Sequence, residues 1–439
     1  MPQGTLSGAI ELFRQGDVQN AAANCELVLQ RNPGHAEANH LLGAIRFQQG
    51  STEEAVSLLK RAVASPLATA EMHNHLGSAY YRLGRKPEAR DCFERALAIT
   101  PGYPEALHNL GVIFAEMQMG GQAVAAFHEA DRLDPKLSRA EEALKHAYGS
   151  IVSPWHFAML GDERRNAAYE TAIRKVVAGK DVLDIGTGAG LLALMAARAG
   201  AAKVISCETI PLIAARAREI ITRNAFGDRI TVVPKKSTLL SVPADMARRA
   251  DVLVTETFSS GLITEGILQA IEHAHESLLA EGAAIIPCAG SVMGYLAGGR
   301  ALQTMLFAHD VAGFDLSPFN EFGPPMLPVN LDQVPHSILS QDTQLIRFDF
   351  HQTQFPAGEW PVQFRAVSHG LCIGVVQWIR LELDAVTTYE NRPSRDSDFV
   401  GHWTHVVHRF PRPLILKPGD VVHVLFQHDR SQIGIRLLT

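Results

Sequence analysis

Lys180–Gly200 reads KDVLDIGTGAGLLALMAARAG, and its pattern indicates the fold of the surrounding domain. It begins with a short apolar run, continues through a glycine-rich turn, and ends in an apolar segment with helical spacing. A strand, a tight glycine turn and a helix in this order are typical of units that bind nucleotides. The stretch therefore predicts an α/β domain with a ligand site at the carboxyl ends of its strands.

The sequence that follows repeats the alternation of strands and helices. Further apolar runs are AKVISCE at 202–208, RITVVP at 229–234, ADVLVTE at 250–256 and AAIIPC at 283–288, with a helical segment at 210–226. Such alternation predicts a doubly wound parallel sheet of the Rossmann-like kind.

Glycines and acidic residues around the turn indicate which nucleotide would bind. Gly186 and Gly188 begin a GxGxG run, but a dinucleotide fingerprint needs its last glycine at Leu191, which disfavours nicotinamide. Glu208 ends the second strand, where an acid can accept both ribose hydroxyls of an adenosine; the alternative is a solvated acid. Asp184 would hold the turn or receive the ammonium group of a methionine moiety. These features together suit S-adenosyl-L-methionine, since glycines permit close approach of the backbone.

The first third of the chain contains a repeat of 34 residues. Glycines and two sets of alanines share this spacing, at Gly43, Gly77 and Gly111, Ala55, Ala89 and Ala123, and Ala62, Ala96 and Ala130. The pattern resembles the tetratricopeptide repeat, a pair of helices held close by small residues. It predicts about four units over roughly residues 2–135 and a capping helix, KLSRAEEALKHAYG, at 136–149. Stacked units of this kind form a curved solenoid with a concave groove that can bind peptide.

Polar side chains in the first helix of each unit are candidates for binding an extended backbone. They are Asn39, His40, His73, Asn74, His75, His108 and Asn109. The alternative is that they are solvated positions on a scaffold helix. We do not expect a metal site here, on the view that no carboxylate or cysteine accompanies the histidines at ligand spacing.

Composition limits the class of protein. The 439 residues exceed one ordinary core, and the formal net charge of −6 offers no global positive field for nucleic acid. The five cysteines are scattered, without a CxxC pair, which favours reduced thiols and a cytoplasmic protein. The sequence shows neither a signal peptide nor an apolar run long enough to span a membrane, so no membrane partner is expected.

ETFSSGLITE at 256–265 places Glu256 and Glu265 at the two ends of a glycine-containing loop after a strand. Two carboxylates that face one cavity repel each other unless a cation lies between them. A guanidinium matches such a pair, because it is planar and donates hydrogen bonds on two edges. Metal binding fits less well because the loop offers no further ligand. By spacing alone, a solvated turn remains the alternative.

From Trp155 onward the chain resembles the protein arginine methyltransferase family, and most closely the subgroup with tetratricopeptide repeats before the catalytic module. Four segments carry the resemblance. They are WHFAMLGDERRNAAY, which is similar to the helix that closes over the cofactor, VLDIGTGAG with Cys207 and Glu208, ETFSSGLITE, which is similar to the double-glutamate hairpin, and GHW at 401–403. The resemblance implies transfer of a methyl group from S-adenosyl-L-methionine to a protein arginine.

The same resemblance implies roles for single residues. Arg165 would bind the cofactor carboxylate and orient Glu256, while Asp162 and His402 would form a dyad that carries off the released proton. The remaining implied contacts are His156 and Met159 beside the methyl donor, Ser237 at the adenine, and Trp403 along the arginine channel.

Differences between this sequence and the family's motifs indicate which methylated product to expect. The family's asymmetric dimethylating members carry an aromatic YFxxY run that HAYGSIVSPWHF does not reproduce, and Ser259 and Ser260 replace their methionine and aromatic residue. A monomethyl or symmetric dimethyl product is therefore expected. The nearest subgroup often has an acid in place of Ser259 and can contain two catalytic modules, whereas this chain has one.

The predicted organisation is a tetratricopeptide-repeat solenoid at 1–149, a Rossmann-like methyltransferase domain at 150–289 and a β-barrel at 290–439. A dimerisation arm near 312–332 would make the protein a homodimer. Two other functions stay open: a methyltransferase that acts on a small molecule or nucleic acid, and a peptide-binding scaffold with an inert methyltransferase domain. A nucleic-acid amino methyltransferase is disfavoured because ETFS stands where a D/N-P-P-aromatic loop would follow strand four.

Overall fold

The computed structural model describes residues 4–117, 119–135, 140–152, 155–394 and 403–438. The chain divides into two compact units, Met1–Ser153 and Pro154–Thr439. The parallel sheet and the antiparallel strands that follow it belong to the second unit, so the predicted boundary at residue 289 lies inside one compact body.

The first unit consists of helices that pack in sequential pairs. In the described residues they are α1 (Leu6–Arg14), α2 (Val18–Arg31), α3 (Ala36–Gln48), α4 (Thr52–Val63), α5 (Ala70–Arg82), α6 (Lys86–Ile99), α7 (Pro104–Glu116), α8 (Gly120–Leu133) and α9 (Ala140–Ile151). Each odd-numbered helix from α1 to α7 packs on the helix that follows it, and successive odd-numbered helices contact one another. Four helix pairs and a further helix thus form the repeat array.

The 34-residue spacing of Gly43, Gly77 and Gly111 has a steric cause. A Cβ atom at Gly77 would lie 2.6 Å from the ring of Phe93, closer than real Cβ atoms come to a neighbour. Gly111 stands in the same relation to Phe127, at 2.7 Å. Only glycine therefore lets the two helices of a unit approach this closely.

The second unit begins with an α/β layer built around a five-stranded parallel sheet. Its elements are α10 (Trp155–Leu160), α11 (Glu163–Val176), β1 (Asp181–Ile185), α12 (Leu191–Arg198), β2 (Lys203–Cys207), α13 (Pro211–Arg223), β3 (Ile230–Val233), β4 (Ala250–Thr255), α14 (Ile267–His273) and β5 (Leu279–Ile286). The strand order is β3-β2-β1-β4-β5, and all neighbours are parallel. The carboxyl ends of β1, β2 and β4 therefore meet at one edge.

Antiparallel strands make up the rest of the unit. The elements are β6 (Ala289–Gly298), α15 (Arg300–Leu306), β7 (Asp310–Val311), β8 (Phe314–Asp315), β9 (Met326–Val329), β10 (Ser337–Ile338), β11 (Thr343–Asp349), β12 (Gly358–Arg365), β13 (Gly370–Glu382), β14 (Thr388–Glu390), β15 (His405–Leu416), β16 (Val421–His428) and β17 (Ile433–Leu437). They form a seven-stranded sheet, a three-stranded sheet and the β7–β8 hairpin. One apolar core runs from the parallel sheet into these strands, for example from Leu262 to Phe350.

The predicted fold class is confirmed: helical repeats, a Rossmann-like layer and an antiparallel β-rich module. In the part of the chain that the structure describes, no helix combines the length and the apolar character that crossing a membrane would require.

The seven polar residues expected to bind peptide do not all face solvent. Asn39 is fully buried, and its amide donates to the carbonyl oxygens of Pro33 and His35 at 2.9 and 3.0 Å. His73 and Asn74 are also buried. The expectation was wrong for these three buried residues. Asn39 satisfies carbonyl oxygens at the start of its own helix, whereas Asn74 Oδ1 accepts a hydrogen bond from the Asn109 amide of the next helix pair at 3.0 Å.

Candidate active site

The glycine turn after β1 has backbone angles that favour glycine. Gly186, Gly188 and Gly190 have φ values of 89°, 49° and 82°, all in the left-handed region. A Cβ atom at Gly186 would also clash with Cγ2 of Thr257, which follows β4. The turn therefore needs glycine both for its own conformation and for its contact with the next strand end.

Glu208 lies at the end of β2 and supports this turn. Its Oε2 accepts a hydrogen bond from the backbone amide of Gly188 at 3.1 Å, and its Oε1 accepts one from Ile210 at 2.9 Å. The side chain lines a cavity at the edge of the sheet. The predicted ribose acid is thus at the cavity wall, and it also anchors the glycine turn.

The position of Asp184 does not suit direct contact with a ligand. It is 1% exposed and lines neither cavity described here. Its Oδ2 accepts from the hydroxyl of Ser206 at 2.6 Å, and the hydroxyl of Thr187 lies 2.5 Å from that of Ser206. Because Ser206 donates its single proton to Asp184, Thr187 must donate to Ser206. Of the two predicted roles, this geometry fits holding the turn.

Burial also changes the acidity of Asp184. Loss of hydration raises the pKa of this carboxyl to about 6. Its Oδ1 accepts no hydrogen bond from the described residues.

Arg165 and Glu256 form a buried ion pair. On α11, Arg165 reaches the end of β4, where its Nε and Nη2 contact the two carboxylate oxygens of Glu256. The two side chains are 2% and 5% exposed. A third guanidinium nitrogen, Nη1, donates to Asn166 Oδ1 at 2.6 Å. Such a two-point contact orients the carboxylate as well as neutralising it.

Asp162 caps α11. Its Oδ1 accepts from the backbone amide of Arg165 at 2.9 Å, and its Oδ2 accepts from the hydroxyl of Tyr389 at 2.6 Å. Burial and the hydrogen bond to Asp162 raise the pKa of Tyr389. His402, the predicted partner of Asp162, lies outside the described residues, so their pairing stays a prediction.

A cavity of about 290 Å³ lies at the carboxyl edge of the parallel sheet. It is lined by most of the predicted cofactor residues, namely His156, Met159, Arg165, Gly186, Gly188, Glu208 and Ser237. Burial lowers the pKa of His156, and Arg165 adds to the effect. The cavity therefore brings together residues from α10, α11 and the ends of three strands.

A second cavity, of about 480 Å³, lies between the hairpin and the antiparallel strands. Trp403 lines it, together with Met326, Pro328 and Val406, so much of its wall is apolar. Glu265 lines both cavities and thus stands where they meet. Desolvation by the surrounding protein raises the pKa of Glu265.

Polar contacts that the sequence did not predict support the hairpin. The hydroxyl groups of Ser260 and Thr404 are 3.2 Å apart, and Ser259 contacts Thr264. The amide of Gln377 donates to the carbonyl oxygen of Ser260 at 2.9 Å. The bonds to Gln377 and Thr404 connect the loop between the two glutamates to the antiparallel part of the unit, while the contact between Ser259 and Thr264 lies within the loop.

The sheet order, the glycine turn and the strand-end acid define the class of Rossmann-like methyltransferases. A family model described as Ribosomal protein L11 methyltransferase (PrmA) matches residues 167–287. Models described as Tetratricopeptide repeat and TPR repeat match residues 12–77 and 77–118.

Individual relatives identify the family. The Arginine N(omega)-methyltransferase of Streptomyces achromogenes subsp. streptozoticus is 37% identical over 273 residues, which are 62% of this chain and 75% of that protein. Protein arginine N-methyltransferase 7 of Gallus gallus is 32% identical over 333 residues, 69% of this chain and 48% of that protein. The chain belongs to the arginine N-methyltransferase family, although it spans less than half of the chicken relative.

A solved structure shares the fold. The Trypanosoma brucei PRMT1 enzyme-prozyme heterotetrameric complex with AdoHcy matches at a TM-score of 0.56 and 21% identity, covering 64% of this chain and 92% of that chain.

Proposed function

We propose that this chain is an S-adenosyl-L-methionine-dependent protein arginine N-methyltransferase. The observation that carries the proposal is the position of Glu265, which stands where a nucleotide-type cavity meets a second, largely apolar cavity. Methyl transfer requires donor and acceptor atoms to meet in line, and a carboxylate at the junction would hold a cationic acceptor there.

The residues of the smaller cavity fit the proposed cofactor. Gly188 leaves the cavity open where a Cβ atom would come within 3.3 Å of His156, and Glu208 offers carboxylate oxygens at the end of β2. Glu208 would hold the ribose, Ser237 would meet the adenine, and Arg165 would bind the carboxylate. When bound, S-adenosyl-L-methionine supplies an electrophilic methyl group.

Two carboxylates would bind the acceptor guanidinium. Desolvation raises the pKa of Glu265, and a guanidinium beside it would counter this effect by favouring the charged carboxylate. Glu256 is already oriented by Arg165. Together they would fix one guanidinium nitrogen toward the donor and keep the positive charge on the other nitrogens.

Proton release needs no strong base. The acceptor guanidinium has a pKa above about 12 and therefore enters the site protonated. It loses one N–H proton as the N–methyl bond forms, because it would otherwise carry a second positive charge. Asp162 and His402 would carry that proton away, and the contact of Asp162 with Tyr389 keeps the carboxylate at the start of α11.

A methylation assay tests the proposal. The full chain is incubated with labelled S-adenosyl-L-methionine and an arginine-rich peptide, beside Glu256→Gln and the exposed control Glu281→Gln. We expect label on the peptide with the parent and the control, and its loss with Glu256→Gln. Absence of label on any acceptor would contradict the proposal and favour an inert scaffold.

Free arginine is the second candidate acceptor. The Streptomyces relative is named for arginine rather than for protein arginine, and the chain spans 75% of it. A parallel reaction with free arginine separates the two: label on free arginine alone would favour this second function.

The methylation product, the role of the repeats and the cellular location are proposed from the sequence expectations. Ser259 and Ser260 lie in the hairpin without the large side chains of asymmetric dimethylating enzymes, which supports monomethyl or symmetric dimethyl arginine as product; mass spectrometry of the peptide tests this. The repeat unit would recruit the protein substrate. All five cysteines are free thiols, which supports a cytoplasmic location; cell fractionation tests it.

A homodimer is the proposed assembly. The arm near 312–332 exposes Phe314, Phe319 and Phe322, which are 70%, 67% and 75% exposed. Clustered exposed aromatic side chains are typical of protein interfaces.

A further inference from the structure

We propose that the repeat unit holds a divalent transition-metal ion between its second and third helix pairs, bound by His40, Glu71 and His75. One ligand atom from each residue lies within 4.8 Å of the other two. Among the residues that the structure describes, these three form the group of potential metal ligands whose ligand atoms lie this close together. The site is separate from the methyltransferase residues, so it stands independently of the proposed function.

Helix geometry brings the three ligands to one place. Glu71 and His75 are four residues apart on α5, about one helical turn, so their side chains share a face. His40 comes from α3, which contacts α5. The carboxylate at this spacing was missed in the sequence, where Glu71 opens the segment EMHNH.

The two imidazoles already face each other with nitrogen atoms. His40 Nε2 and His75 Nδ1 are 2.7 Å apart, so one proton must lie between two lone pairs. A metal ion in place of that proton would accept both lone pairs. With metal–nitrogen bonds of about 2.0–2.1 Å in tetrahedral geometry, the nitrogens would separate to about 3.3 Å. Each nitrogen would move by about 0.3 Å. The carboxylate oxygen of Glu71, which lies within 4.8 Å of both nitrogens, would approach by up to about 1.5 Å through rotation of its exposed side chain.

The charge and protonation of the group suit a metal. Metal ligands must be neutral imidazole and ionised carboxylate. The 2.7 Å contact between the two ring nitrogens requires one of them to be an unprotonated acceptor, which is the form that binds a metal. Two imidazoles and a carboxylate leave one tetrahedral position for water or an outside ligand. Nitrogen and oxygen donors of this kind suit Zn²⁺, Cu²⁺ or Ni²⁺ rather than Mg²⁺ or Ca²⁺.

The alternative is a plain hydrogen bond between two stacked rings. Their centroids are 4.9 Å apart, and the bond joins two neighbouring units without any metal. This alternative predicts that Glu71 contributes nothing to the pair, which gives a variant that separates the two cases.

Zn²⁺ titration of the full chain, without an affinity tag and after chelator treatment, tests the proposal by calorimetry. We expect one equivalent to bind and the melting temperature to rise with Zn²⁺. Glu71→Gln keeps the two histidines and changes an exposed side chain, and it should weaken binding by about tenfold or more. His75→Ala should remove binding, whereas His351→Ala, an exposed histidine of the second unit, should bind as the parent does.

The result that overturns the proposal is equally direct. Either no specific Zn²⁺ binding by the parent, or equal binding by the parent, Glu71→Gln and His75→Ala, would contradict it. Co²⁺ gives a second readout, since its visible absorption should report tetrahedral coordination in the parent and not in His75→Ala.

Discussion

The side-chain amide of Gln377, on β13, donates a hydrogen bond to the backbone carbonyl of Ser260, midway between the two glutamates of the hairpin. Its side-chain oxygen accepts a hydrogen bond from His408 Nε2 at 2.7 Å, because the amide nitrogen already donates to Ser260. Burial lowers the pKa of His408 to about 4, so the ring is neutral and keeps this tautomer at physiological pH. Gln377 and His408 thus hold the hairpin in position from outside it.

Gln377→Leu should lower kcat/KM by about tenfold, since a small displacement of a positioned loop has a large effect on rate. The affinity for S-adenosyl-L-methionine should not change, because Gln377 lines only the second cavity. Steady-state kinetics and cofactor titration measure both quantities. The exposed Gln363→Leu on β12 is the matched control; equal losses in the two variants would rule out a positioning role.

Arg165→Met should destabilise the second unit by about 3–5 kcal/mol, because it leaves the buried carboxylate of Glu256 without its partner. Joint replacement, Arg165→Met with Glu256→Leu, should recover part of that loss. Denaturant unfolding followed by tryptophan fluorescence measures this, since all four tryptophans lie at residue 155 or later. A double variant as unstable as the sum of the single variants would show that the ion pair is not coupled.

Asp184→Asn should change how stability depends on pH. Burial raises the pKa of this carboxyl from about 3.8 to about 6, so the folded protein binds a proton that the unfolded chain has lost between these values. Stability should therefore fall as pH rises from about 4 to about 6, by up to about 3 kcal/mol. The variant lacks this contribution. Unfolding of both proteins at several pH values tests the sign; a constant difference between them would contradict the raised pKa.

Phe319→Glu with Phe322→Glu should convert the proposed dimer to a monomer at micromolar concentration, because both rings are largely exposed on the arm. Light scattering after gel filtration gives the mass. Val386→Glu, an equally exposed apolar position on another loop, should leave the mass unchanged. A parent protein that is monomeric and fully active would end the dimer proposal.

Removal of residues 1–148 should weaken methylation of a whole protein substrate more than that of a short peptide. The reason is that the repeats form a compact unit of their own and would act by recruitment. Rates with both substrates, for the full chain and the truncated one, provide the comparison. Equal loss on both substrates would indicate a structural role for the repeats.

Local sequence patterns predicted most of the elements that surround the site. The glycine turn and Glu208 could be recognised because one strand, one turn and the next strand end carry the signal. The same holds for the hairpin with Glu256 and Glu265. The family resemblance confirmed by the relatives rests on these segments.

Contacts between distant segments could not be predicted in this way. Tyr389 and Asp162 are 227 residues apart, and Gln377 and Ser260 are 117 residues apart. Each pair depends on how the antiparallel strands pack on the α/β layer, and a short polar side chain gives no periodic signal of its partner. The burial of Asn39 was missed for a related reason, since a polar residue in a helix can face its own turn as readily as solvent.

The close contact between Gly77 and Phe93 has a consequence for the history of the repeat array. Each such glycine meets a residue sixteen positions later in its own helix pair, as Gly111 meets Phe127. A duplicated or deleted segment of 34 residues therefore carries both halves of the contact with it. A change in the number of repeats can therefore leave this packing intact, whereas any side chain larger than that of glycine at Gly77 or Gly111 would meet the facing phenylalanine ring.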